Sequence, residues 1–166
     1  MKKLFFFFTL TLTVQQSVLA QCNAGSYTVT TNTVINSSCI ITGDLTIVNG
    51  ATLNVDLTSA TADTFVVRGN ILLQGNAVLW VHADSGSTGE QFIVSNSFST
   101  QRNITTKDSS KIIMEYIEFR TQEGNLSSAA SIYMEYNAED SSTLFINRSW
   151  LDRQKAWLLC TMKNKS

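Results

Sequence analysis

The chain is 166 residues long, 43% hydrophobic and 15% charged, with no proline and a formal net charge of −1. Its length fits one domain, and its hydrophobic share is enough for a core, which excludes wholesale disorder. Lys and Arg are scattered rather than striped, against a nucleic-acid binder, and one His, three Cys and no recognisable catalytic motif give little to build an enzyme from.

Residues 1–20 read as a secretory signal peptide. Lys2 and Lys3 form a positive n-region, and Leu4 to Val14 is apolar apart from threonines. Val18-Leu19-Ala20 supplies tolerated residues for cleavage after Ala20. The apolar stretch is too short for a membrane span, Gln15-Gln16 interrupts it, and no later segment is apolar enough to cross. Cys22 follows Leu19-Ala20-Gln21, which raises a lipid-anchor reading. The bulky Gln21 directly before the cysteine argues against it. The expected product is secreted or held at the cell surface.

Residues 21–37 are expected to form an N-terminal cap. Export permits disulfides. A bridge between Cys22 and Cys39 would close a loop of roughly 16 residues, worth ~3 kcal/mol in the chain-entropy model. Cys160 is left over, either free or paired between chains.

From residue 38 to 152 the chain repeats. Gly43 to Val55 lies over Gly69 to Val81 without a gap, at an offset of 26 residues. Leu45/Ile71, Ile47/Leu73, Leu53/Leu79 and Val55/Val81 are apolar in both copies, while their neighbours vary, as in Asn54/Trp80. A period of two with one constrained face marks strands with a buried side. Asn49-Gly50 and Gly75-Asn76 suit positive φ and bend the chain between strands. Upstream, Cys39 to Asp44 lies over Phe65 to Asn70, and Phe92 to Asn96 follows 27 residues later.

Further along the register drifts. Ile112 to Tyr116 echoes Ile132 to Tyr136 at an offset of 20, and Asp108 to Ile112 echoes Asp140 to Leu144 at 32. Unequal offsets imply loops of different length between the same strands. Such repeats predict an all-β solenoid whose short strands stack at ~4.8 Å. The absence of proline agrees with dense ladder pairing. The alternative is a β-sandwich, whose strands also alternate but need no fixed register. Residues 153–166 form a C-terminal tail or a truncated rung.

The stretches Gly43 to Ile47, Gly50 to Val55, Met114 to Phe119 and Leu144 to Ser149 resemble those of secreted bacterial right-handed parallel β-helix repeat proteins. The resemblance covers roughly residues 38–152 and implies a right-handed parallel β-helix of about five or six rungs. Family members include adhesins, surface proteins and polysaccharide-cleaving enzymes, so the fold does not choose an activity.

No catalytic, cofactor or metal residue set stands out. His82 reads as a solvent-exposed turn residue. Glu115 and Glu135 lie in matching Met-Glu-Tyr segments and suit a paired-carboxylate glycosidase only if they share a face. Glu118 would point to the opposite face if the strand ran unbroken. The candidate ligand-binding residues are the outward aromatics Trp80, Tyr116 and Tyr136, whose rings can stack on sugars. The expected function is a secreted, non-enzymatic β-helix module of a surface or extracellular protein, binding polysaccharide or a cell-surface partner. The alternatives are a truncated polysaccharide lyase or glycoside hydrolase, and a purely structural stalk.

Overall fold

The computed structural model describes residues 18–19, 25–58, 63–86, 89–95, 101–121, 132–151 and 156–163. Cys22 and most of the leader lie outside these residues. The chain opens with β1 (Val18–Leu19), within the segment that reads as a leader. Next come β2 (Tyr27–Val29), β3 (Thr33–Ile35) and β4 (Cys39–Ile41). The first 26-residue repeat holds β5 (Leu45–Ile47), β6 (Thr52–Asp56) and β7 (Thr64–Val67). The next holds β8 (Ile71–Leu73), β9 (Val78–His82) and β10 (Gln91–Val94). Then follow β11 (Asn103–Thr106), β12 (Lys111–Glu115) and β13 (Glu118–Arg120). The last strands are β14 (Ile132–Glu139), β15 (Thr143–Asn147), β16 (Trp150–Leu151) and β17 (Ala156–Lys163).

These strands form three sheets, with orders β1-β3-β6-β9-β12-β15, β2-β5-β8-β11-β14-β17 and β4-β7-β10-β13-β16. From β2 onward the chain visits the second, first and third sheets in strict rotation. Neighbouring strands pair parallel, as in β6 on β9 and β7 on β10. The protein is therefore all-β, built from three parallel sheets of stacked strands, as expected of a solenoid. The parallel ladders set aside the antiparallel pairing of a sandwich. Among the described residues stacking begins earlier than the sequence repeat reveals, with β1 beside β3 and β2 beside β5. Leu45 sits beside Tyr27 and Leu53 beside Thr33, at shorter spacings than 26. In the tail, β17 pairs with β14 along its full length.

The core is a set of inward columns. On the first sheet Leu53, Leu79, Ile112 and Leu144 stand in register, as do Val55, Val81, Met114 and Ile146. The third sheet contributes Phe65, Phe92 and Phe119, whose ring centroids lie 5.4 and 5.2 Å apart along the column. Each ring buries against its neighbour a strand away, the spacing aromatic pairs favour.

Corners are held by short polar side chains. Asp44 Oδ1 accepts the Asn70 backbone N–H at 2.7 Å, and Asn70 Oδ1 accepts that of Asn103 at 3.0 Å. At another corner Asn49, Gly75, Asp108 and Asp140 all adopt positive φ, between 57° and 67°. Gly43 and Gly69 are identical in the repeat for a steric reason. A Cβ on Gly69 would collide with the Gly43 backbone, so the stack tolerates no side chain there.

Candidate ligand face on the first sheet

The outward side of the first sheet carries three columns, one of them Thr52, Val78, Lys111 and Thr143, and the two beside it form the candidate site. Of these two, one runs Asn54, Trp80, Ile113, Phe145, and the other Asp56, His82, Glu115, Asn147. Alternation along β6, β9, β12 and β15 puts these residues on the side away from the core. Parallel stacking then sets them about 4.8 Å from their neighbours on adjacent strands. On the third sheet, by contrast, even Val66 and Ile93, at positions of outward phase, are buried.

Contacts lock the columns together. The His82 ring lies over the Trp80 ring at 4.4 Å, tilted by 31°. Its Nε2 donates to Asn54 Oδ1 at 2.9 Å, since an amide oxygen only accepts. Its Nδ1 faces Asp56 Oδ1 at 4.0 Å. Trp80 Nε1 donates to Glu115 Oε2 at 2.9 Å, and Asn147 Nδ2 donates to Glu115 Oε1 at 3.3 Å. His82 is thus a half-buried strand residue, not an exposed turn residue. The strand outruns the repeat pattern by one position, and Trp80 covers the ring.

Tyr116 lies at the corner after β12 with φ of 58°, a conformation a bulky residue adopts at a cost. Its hydroxyl accepts from Arg148 Nη1 at 2.9 Å, and the Arg148 guanidinium sits 5.6 Å from its ring centroid. Because the chain turns there, Glu118 begins a new strand on the third sheet. It pairs with Arg120 at 3.0 Å and accepts from Gln91 Nε2 at 2.9 Å.

The three aromatics of the sequence reading therefore fall in different places. Trp80 and Tyr116 belong to the first sheet and its corner. Tyr136 lies on β14 of the second sheet, between Ile104 and Cys160 in register. The offset of 20 between the Met-Glu-Tyr segments is not a stacking register. β12 stacks on β15 at the offset of 32, which sets Glu115 beside Asn147 rather than Glu135. Two strands of one coil can carry similar residues because each needs the same alternation.

Sequence reasoning read His82 as a turn residue and did not count Asn54, Asp56, Asn147 and Arg148 among the candidate site residues. The repeat register already aligned Asp56 with His82. Glu115 and Asn147 join that column once the longer connections are admitted.

Among the described residues no group of three or more His, Cys, Asp and Glu side chains suits a metal ion, and no helix is long and apolar enough to cross a membrane. Cys39 is buried and disulfide-bonded, and its partner lies outside the described residues. Comparisons with protein-family models, with curated proteins and with solved structures find no match to this chain.

Proposed function

We propose that the chain is a secreted right-handed parallel β-helix module of a surface or extracellular protein, of about five or six rungs. Its role is to bind an extended polysaccharide through the outward face of the first sheet, without catalysis. The observation that carries this reading is the clamped Trp80 ring. His82 supports one side of it and Glu115 holds its Nε1. A ring fixed in this way loses little freedom when a sugar packs on it. Asp56 and Asn147 share one column and Asn54 stands on the column beside it, so polar groups run along the stack, which suits a polymer better than a single sugar. Both Glu115 oxygens already accept hydrogen bonds, which supports binding over glycosidic cleavage.

Export is supported by the leader pattern and by the disulfide at Cys39. We assign Cys22 as its partner. Cys160 lies on β17, at the opposite end of the stack from β4 and beyond disulfide reach. Non-reducing peptide mapping of exported protein is expected to recover the Cys22–Cys39 pair. Alkylation of both thiols without reduction would overturn that assignment.

The binding test is calorimetric titration with oligosaccharides of increasing length. Affinity is expected to rise with length through repeated weak subsites, and Trp80→Ala is expected to abolish it. Binding of no polymer, or binding untouched by Trp80→Ala and Tyr116→Ala, would favour a stalk.

A further inference from the structure

His82 stands in its column with a carboxylate on the strand to either side. In register, Asp56 of β6 flanks it on one side and Glu115 of β12 on the other. Both carboxylates are held. Asp56 Oδ1 accepts the Thr58 backbone N–H at 3.1 Å, and the two Glu115 oxygens accept from Trp80 Nε1 and Asn147 Nδ2. Asp84 follows two residues on, exposed and of the same phase. The cations stand apart, Lys111 in the column of Val78 and Arg148 at the Tyr116 corner. The imidazole itself is committed at one nitrogen and one face. Nε2 carries the proton that bonds Asn54 Oδ1, and the face packs on the Trp80 indole. In the neutral form Nδ1 then has only a lone pair, and that nitrogen faces Asp56 Oδ1 across 4.0 Å.

We propose, resting on the sugar-binding reading of this face, that His82 is a proton switch on the Trp80 clamp, so that the face holds a polysaccharide more tightly at acid pH than at alkaline pH. One proton from solvent adds to the Nδ1 lone pair, and no other bond to hydrogen changes. Nδ1 becomes a second donor, turned toward Asp56, while Nε2 keeps Asn54. The imidazole becomes a cation between two carboxylates and against an indole face, and both settings attract positive charge. Each change draws the imidazole toward groups that already hold it, so the indole it supports moves less. A stiffer ring gives up less freedom when a sugar settles on it. Imidazole is the side chain that ordinarily changes charge between about pH 5 and 8. His82 is the single histidine of the chain, so no second imidazole produces the effect.

The imidazole C–H resonances of the exported full chain report protonation without overlap, and indole emission reports the clamp. Subtracting the emission of Trp80→Phe separates Trp80 from the other two tryptophans. As pH falls from about 8 to about 5, Trp80 emission is expected to drop along the same curve as the histidine resonance. His82→Gln, whose amide still donates to Asn54 but gains no charge, is expected to lose that response. Cellohexaose, a neutral glucose hexamer, serves as the binding probe in calorimetry. It is expected to bind wild type several-fold more tightly at the acid end, and His82→Gln equally at both ends. Asp56→Asn is expected to shrink the ratio. Trp80 emission indifferent to the histidine titration, or equal cellohexaose affinity at both ends in wild type, overturns the switch. An emission response with no binding at either end overturns the sugar-binding reading instead.

Discussion

The two halves of this protein obey the same register with different spacing. Between β5 and β10 equivalent residues recur after 26 or 27 residues, so Leu45 meets Ile71 and Phe65 meets Phe92. From β11 onward the spacing is uneven, since Phe92 still meets Phe119 at 27 and Ile132 meets Ala156 at 24 while other pairs lie further apart. Ile71 meets Ile104, and Ile112 meets Leu144, at offsets of 33 and 32. Strand pairing tolerates this because a solenoid fixes only which residues stack. The length of chain between strands is spent in surface loops, whose closure entropy grows slowly. What the second half loses is coverage. Its inward columns approach the end of the stack, and exposure climbs from Met114 to Ile146.

That gradient is the first thing to break. Leu79 has buried neighbours on both sides in its column, Leu53 and Ile112. Leu79→Ala is expected to cost about 2–5 kcal/mol in chemical denaturation, as a buried truncation with a cavity. Ile146→Ala, with 38% of the residue in solvent, is expected to fall below that range. Equal losses at the two sites would mean that the end of the stack is covered after all.

Smaller effects sharpen the steric side of the comparison. Gly69→Ala is expected to cost about 1–3 kcal/mol, because its Cβ meets backbone that cannot rotate away. Gly86→Ala, with nothing within 4 Å, is expected to change stability by less than about 0.5 kcal/mol. Paired thermal melts separate the two. Next comes the corner ladder. Asn70→Ala removes the acceptor for the Asn103 backbone N–H and is expected to cost about 1 kcal/mol. Asn70→Ser keeps a shorter acceptor and should recover part of the loss.

The first half was readable because identical spacing let alternation be checked twice. Leu53 over Leu79 and Asn54 over Trp80 follow from the 26-residue register alone. The second half was readable only where the corner also matched. Asp108 and Asp140 mark equivalent left-handed turns and gave the true offset. The Met-Glu-Tyr echo matched strand chemistry without a corner and joined strands of different sheets. The candidate face was half legible. Trp80 was visible as an outward aromatic beside a repeat of Asn, but the clamp on it was not. Glu115 reaches Trp80 across an offset of 35 residues, with an inserted connection in between. No fixed period in the sequence announces that contact.

The smallest expected effect isolates the backbone at one corner. Asp108 is exposed, has φ of 57°, and its Oδ2 accepts the Gly75 backbone N–H at 2.7 Å. Asp108→Ala and Asp108→Gly both remove that hydrogen bond. They differ in the left-handed conformation, which costs an L-residue with a Cβ roughly 1–2 kcal/mol and glycine almost nothing. Glycine also gains freedom in the unfolded chain, which takes back part of the advantage. The net expectation is that Asp108→Gly is more stable than Asp108→Ala by about 0.5–1 kcal/mol. The neighbouring coil already shows the preference, since Gly75 fills the equivalent position with φ of 67°. Urea denaturation of the two variants measures the difference directly. An alanine variant as stable as the glycine variant would mean that this corner relaxes out of the left-handed region once its side chain is gone. The offset of 32 would then rest on strand pairing alone.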